Sequence, residues 1–255
     1  MVGTGTSAAD VVARTSTAVL ELGRAWLIAP ETNARGEALG LLPGRGFWVC
    51  GRGGVLGDVD ADVVAAAVGF MHPDRLRTFW ESRPAELAAA KAASEYADCC
   101  FTWARRALAG VPEPDLARLT ELTRTVVDAA LPALGGALFA GWRAVPAPKD
   151  AAASAALALQ ALRELRGGAH LTAVLATGLT PLDAALAAEP PRGGPAWARD
   201  LGWPEPYPDA AALVPARAEA ERLTSELVAP AYEVLSPAER SRFVELVLAA
   251  RAAVG

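Results

Sequence analysis

Arg163-Glu-Leu-Arg166-Gly167-Gly-Ala-His170-Leu-Thr-Ala-Val-Leu-Ala-Thr-Gly178-Leu-Thr180 is the stretch that decides how the chain is read. Gly167-Gly168 reads as a helix stop, residues 169–177 as a short helix and Gly178-Leu179 as a tight turn. Thr180-Pro-Leu-Asp183 then caps a further short helix that ends near Glu189. Two short helices around a small turn residue make the outline of a helix-turn-helix unit. The same stretch sets His170 at a helix start, with Arg166 across the Gly-Gly turn. A helix N-terminus beside an arginine favours an anionic group such as a carboxylate or phosphate. It also lowers the pKa of a histidine, keeping the ring neutral and able to act as a base near pH 7. The competing reading is that His170 only caps or packs at the turn.

Upstream, Asp150 caps a helix running to Arg166, and Val145-Pro-Ala-Pro-Lys149 is the best linker in the chain. It divides residues 1–145, an N-terminal helical domain, from residues 146–255, a C-terminal helix-turn-helix-like domain. In the first half, Ser7 and Asp10 form a capping box, and Pro30, Pro73 and Pro84 open helices. Between them lies Pro43-Gly-Arg-Gly-Phe47-Trp48-Val-Cys50-Gly-Arg-Gly-Gly-Val-Leu-Gly57, where 47–50 is the best strand candidate and the glycines suggest a short β-hairpin. A dinucleotide fingerprint fails there, because Leu56 stands where the third glycine is needed. The Asp58-Val-Asp60-Ala-Asp62 run lacks the glycine and glutamate of a calcium loop and reads as helix-start acids. Downstream, residues 190–208 form a long Pro/Gly/Trp-rich loop, of a length that is often a lid or ligand contact. Ser236-Pro-Ala-Glu239 caps the last helix.

Composition sets the class. Of 255 residues 53% are apolar, strand formers never cluster for long, and the fold is expected to be mainly α, in two helical halves. Net charge is −5, so no overall basic field draws the chain to nucleic acid or anionic lipid. Three cysteines, Cys50, Cys99 and Cys100, cannot all pair, which fits a reduced, cytoplasmic setting. No signal-peptide pattern opens the chain, and its most apolar window is too short to span a bilayer. Two histidines without a tight acidic cluster give no metal site, and no cofactor motif is present.

DNA readout from residues 171–187 meets a chemical objection. A recognition helix presents Arg, Lys, Asn or Gln to base edges. Here it reads Pro181-Leu-Asp183-Ala-Ala-Leu-Ala-Ala-Glu189, with two carboxylates that repel phosphate. His72, before Pro73, reads either as a helix cap or as a second catalytic candidate beside His170. Arg166, Trp48, Trp203 and Tyr207 are the candidate ligand-binding residues, although large aromatics are more often core or loop anchors.

Three stretches resemble an actinobacterial, largely uncharacterised helix-turn-helix family. They are Glu37-Ala-Leu-Gly-Leu41 leading into Arg45-Gly-Phe-Trp48 and Gly51–Gly57; Gly69-Phe-Met-His-Pro73 with Leu76; and Leu162-Arg-Glu-Leu-Arg-Gly-Gly-Ala-His170. The resemblance implies a two-part helical protein whose C-terminal part is winged-helix-like and distantly similar to MarR-type regulators. Leu165 and Gly168 stand where that pattern has His and Asp. After Trp203 the stretch that would hold the wing hairpin is missing.

Together these readings favour a small-molecule-binding protein, with an enzyme of actinobacterial secondary metabolism as its sharpest form. Its His170/Arg166 site would lie between two halves of a regulator-like ancestor that has lost its DNA-reading side. The runner-up is a MarR-like regulator that binds DNA as a homodimer through other arginines such as Arg105, Arg106, Arg217 and Arg222.

Overall fold

A computed structural model describes residues 5–254, and among them there is no strand. The mainly α expectation holds. In chain order the helices are α1 Ala8–Arg24, α2 Pro30–Ala38, α3 Gly46–Gly53, α4 Ala61–Val68, α5 Pro73–Glu81, α6 Ala89–Ala107 and α7 Glu113–Ala129. They continue as α8 Pro132–Arg143, α9 Ala151–Ala176, α10 Pro181–Ala187, α11 Gly194–Asp200, α12 Val214–Val228 and α13 Pro237–Val254. Short polar side chains set several starts, as the sequence predicts. Ser7 and Thr180 close capping boxes with Asp10 and Asp183, and the Asp150 carboxylate accepts from the Ala153 amide at 2.9 Å. Ser236 and Glu239 exchange the same pair of bonds at the start of α13.

The axis of the molecule is α9. Its residues 155–159 are buried in an unbroken run, which marks a helix apolar on every side and enclosed by others. α1, α6, α7, α8 and α12 all pack on it. One core collects side chains from Ala8 of α1 to Ala250 of α13, with Trp26, Tyr96 and Trp142 fully buried. A smaller cluster lies at the far end of α9, where Ala173 and Val174 meet Leu179, Ala184 and Ala220.

Three local expectations are corrected. The glycine-rich stretch is not a β-hairpin: it forms α3 and a 3-10 turn, Gly54–Leu56. Its glycines serve close packing rather than chain reversal. A Cβ on Gly51 would lie 2.5 Å from the Tyr96 side chain, and one on Gly54 2.3 Å from the Ala89 carbonyl oxygen, so α3 and the turn sit almost backbone-to-helix on α6. Nor do Gly167 and Gly168 stop a helix, because α9 runs through both without a break. A Cβ at Gly168 would meet the Gly135 carbonyl oxygen at 2.2 Å, so this glycine lets the backbone of α8 come close against α9. Finally, residues 190–208 are not a continuous loop, since α11 forms within them.

Gly168→Ala therefore tests the α8–α9 contact. Overpacking against backbone costs roughly 1–3 kcal/mol or more, well beyond the gain of up to ~1 kcal/mol from replacing glycine in a helix. A lower urea midpoint is expected, and an unchanged or raised midpoint would show that α8 yields freely.

Candidate ligand cavity

The uninterrupted α9 changes the setting of His170. The ring lies in the last third of a 26-residue helix and not at an N-terminus, so no helix dipole is available there to capture an anion. Continuity supplies something else: Glu164, Gly167 and Gly168 share a face with residues one turn away, and Arg166 stands four residues before His170 on the same side. That side opens into a cavity of about 320 Å³. α1 contributes Leu20 and Arg24, α3 contributes Trp48 and Arg52, α10 contributes Ala184 and Ala185, and α12 contributes Arg217.

The floor of the cavity is a buried ion cluster. Glu164, 1% exposed at its side chain, takes two bonds from Arg52 at 2.8 and 2.7 Å, one from Arg163 at 2.8 Å and one from Gln160 Nε2 at 2.7 Å. Burial alone would raise the Glu164 pKa, but the two guanidinium groups overcome it and hold the carboxyl below its ordinary value. Gly23 of α1 lets Arg163 pass, since a Cβ there would lie 2.7 Å from Arg163 Cδ. Arg52 is fixed from above as well, its guanidinium 5.0 Å from the centre of the Trp48 ring, while its carbonyl accepts from Trp142 Nε1.

His170 is held from two sides. Its ring stacks on Phe70 at 5.6 Å, and Nδ1 lies 2.9 Å from Thr224 Oγ1. Thr224 donates its only hydroxyl proton to the Ala220 carbonyl, so it can only accept from His170. The neutral ring therefore carries its proton on Nδ1 and leaves Nε2 as a hydrogen-bond acceptor. Burial, first, and then the fields of Arg217 and Arg166 against that of Glu221 bring the His170 pKa down to about 4. Arg166 and Arg217 both pair with Glu221, at 2.5 and 2.8 Å. The expected neutrality of His170 thus has burial as its main cause, not a helix terminus.

The other sequence-derived candidates divide between two places. Trp48 and Arg166 line the cavity with His170. His72, Trp203 and Tyr207 lie outside it. His72 caps α5, its Nδ1 accepting from the Asp74 amide at 3.3 Å, and meets Trp203 edge-on at 5.0 Å beside a shallow surface groove. Trp203 Nε1 donates to the Phe70 carbonyl, and the Tyr207 hydroxyl to the Trp203 carbonyl, so both anchor the segment after α11. Trp197 of α11, an aromatic the sequence also offers as a pocket-lining side chain, lines the cavity too. Sequence reading missed Arg24, Arg45 and Arg192, which come from α1, the approach to α3 and the segment before α11, and no spacing within the chain links them.

A family model described as "Helix-turn-helix family" matches residues 12–214. The chain belongs to that helix-turn-helix family. No curated protein and no solved structure matches it. In this helix-turn-helix family member the turn at Gly178 and the helix after it are present, but α10 faces inward. Ala184 through Ala187 are all buried, and α10 packs on α9, α11 and α12. No wing hairpin follows, since residues 204–213 hold no strand. Among the described residues no helix is long and apolar enough to cross a membrane, and no group of His, Cys, Asp and Glu has the arrangement to hold a metal ion.

Two measurements test the electrostatics. Glu164→Gln leaves Arg52 and Arg163 buried without a counter-ion, and a loss of roughly 3–5 kcal/mol in urea unfolding is expected. A loss under ~1 kcal/mol would mean that water already screens the pair. For His170, the folded pKa of about 4 lies below the usual 6.5, so the unfolded chain takes up the proton first. Stability should fall between about pH 6.5 and pH 4 by an amount on the order of 3 kcal/mol. Glu221, whose pKa is lowered, loses its contribution only below its usual 4.5. His170→Gln should flatten the upper part of that fall, and an identical profile in the variant would remove the histidine as its cause.

Proposed function

We propose that this helix-turn-helix family member binds a small organic molecule in the cavity between α1, α3, α9, α10 and α12. The observation that carries the reading is the cavity itself. Its volume of about 320 Å³ fits a drug-sized ligand, and its walls combine alkyl groups and tryptophan with arginine side chains and His170. In this reading His170 Nε2 accepts a hydrogen bond from the ligand, or its proton where the ligand is acidic enough, and Arg166 orients an adjacent polar group. A turnover step at His170, in a secondary-metabolic enzyme, is the sharper form of the same proposal.

A second reading, a regulator that binds DNA as a dimer, is favoured by the family match over residues 12–214. Against it stand the buried α10 and the state of the arginines that would serve. Arg105 pairs with Asp150, Arg106 with Glu31, Arg217 with Glu221, and Arg222 with Glu219 and Glu226. A guanidinium already held by a carboxylate adds little to phosphate affinity.

Native mass spectrometry of the purified protein against its denatured mass separates the two. A small-molecule adduct present only in the native spectrum, weakened roughly threefold to tenfold by His170→Ala in line with one hydrogen bond, is the expected result. An adduct indifferent to His170→Ala would remove the histidine from the site. DNA affinity that falls steeply with salt, beside a clean apo mass, would favour the regulator.

A further inference from the structure

Seven of the chain's 24 lysines and arginines line this one cavity, in a protein of net charge −5. They are Arg24, Arg45, Arg52, Arg163, Arg166, Arg192 and Arg217, and the only carboxylate among the lining residues is Glu164. Two more carboxylates reach the set from behind: Asp200 pairs with Arg45, and Glu221 with Arg166 and Arg217. Three carboxylates therefore pair with five of the seven arginines, and Arg24 and Arg192 are left over. The carboxylate nearest Arg24 in sequence, Glu21, is engaged by Arg251. Among the described residues Arg24 and Arg192 form no ion pair, and burial, then the field of Arg192, push the Arg24 pKa down against the opposing field of Glu21. The Nε atoms of Arg45, Arg163 and Arg217 are buried and have no hydrogen-bond partner.

A structure that gathers uncompensated guanidinium groups around a concave space loses stability unless an anion is meant to sit there. The rest of the lining is apolar: Leu20, Leu27, Leu138 and Phe70 with the methyl groups of Ala184 and Ala185. We infer that the cavity takes an organic dianion with a flat apolar body, its charged end set between Arg24 and Arg192, the two guanidinium groups of the lining without an ion pair, and its body against the alkyl wall. Planar guanidinium forks suit the paired oxygens of a phosphate monoester or of two carboxylates alike. His170, uncharged at neutral pH, adds a hydrogen-bond acceptor to the same space and no further positive charge. The inference rests on the small-molecule reading above and adds the charge class of the ligand.

The test is a charge ladder on one aromatic ring. Phenyl phosphate and phthalate (dianions at pH 8), benzoate (monoanion) and phenol (neutral) are titrated into the protein, with calorimetry and the fluorescence of the buried tryptophans as readouts. Both dianions are expected to bind at least tenfold more tightly than benzoate, and benzoate more tightly than phenol. Which dianion leads tells phosphate from dicarboxylate. The double variant Arg24→Gln/Arg192→Gln breaks no ion pair, so its fold is preserved. It should weaken the dianions at least tenfold while leaving phenol unchanged. Equal affinity for phenol and the dianions overturns the charge class and leaves the ligand cavity standing. Dianion affinity that ignores the double variant moves the anion elsewhere. Failure of all four at millimolar concentration overturns the class and the cavity together.

Discussion

Glu164 is the pivot of the molecule. It sits on the central helix, almost wholly buried, and reaches Arg52 of α3 and Arg163 beside it. Those contacts fasten the glycine-rich segment to α9 and fix one side of the cavity. Once two guanidinium groups are committed to one buried carboxylate, every neighbouring element must leave room for them. Gly23 of α1 does so for Arg163, and the Trp48 ring covers Arg52. The cluster carries a residual positive charge, so the same interaction that orders the fold also gives the cavity its sign. Breaking such a pair is costly because the abandoned ion stays buried, even where an apolar replacement of the whole set would be tolerated.

Much of this architecture is legible in the sequence, and the places where it is not share one cause. Capping residues mark helix starts correctly because a cap is local: Ser7, Asp150, Thr180 and Ser236 satisfy amides within three residues of themselves. Glycine misleads because its role depends on what lies opposite. Gly167-Gly168 looks like a terminus, and 51–54 looks like a turn, until Gly135, Tyr96 and Ala89 are brought against them. Glycine in a helix costs about 1 kcal/mol relative to alanine, a penalty easily outweighed by close helix packing. His170 and Arg166 could be paired from the sequence because they lie four residues apart. Arg24, Arg45 and Arg192 could not, since only the tertiary fold joins them.

Gly168 illustrates the same point, because a side chain there would run into the backbone of α8. Polar chemistry is therefore carried by residues on the cavity side of α9, with Thr224 of α12 setting the tautomer of His170 from across the gap. The arrangement depends on α9 staying one rigid rod, because a bend at Gly167 would separate Arg166 from His170.

The inward placement of α10 carries a thermodynamic consequence. Ala184 and Ala185 are at once part of the helix that follows the Gly178 turn and part of the cavity wall. Exposing that helix to any outside partner dismantles the wall, so cavity occupancy and outward use of α10 compete. Whatever fills the cavity opposes the exposed state by its own binding free energy, and by linkage a partner that captures α10 weakens the ligand by the same factor. A filled cavity and an outward α10 exclude each other, because the alanines of one seven-residue helix would have to serve both.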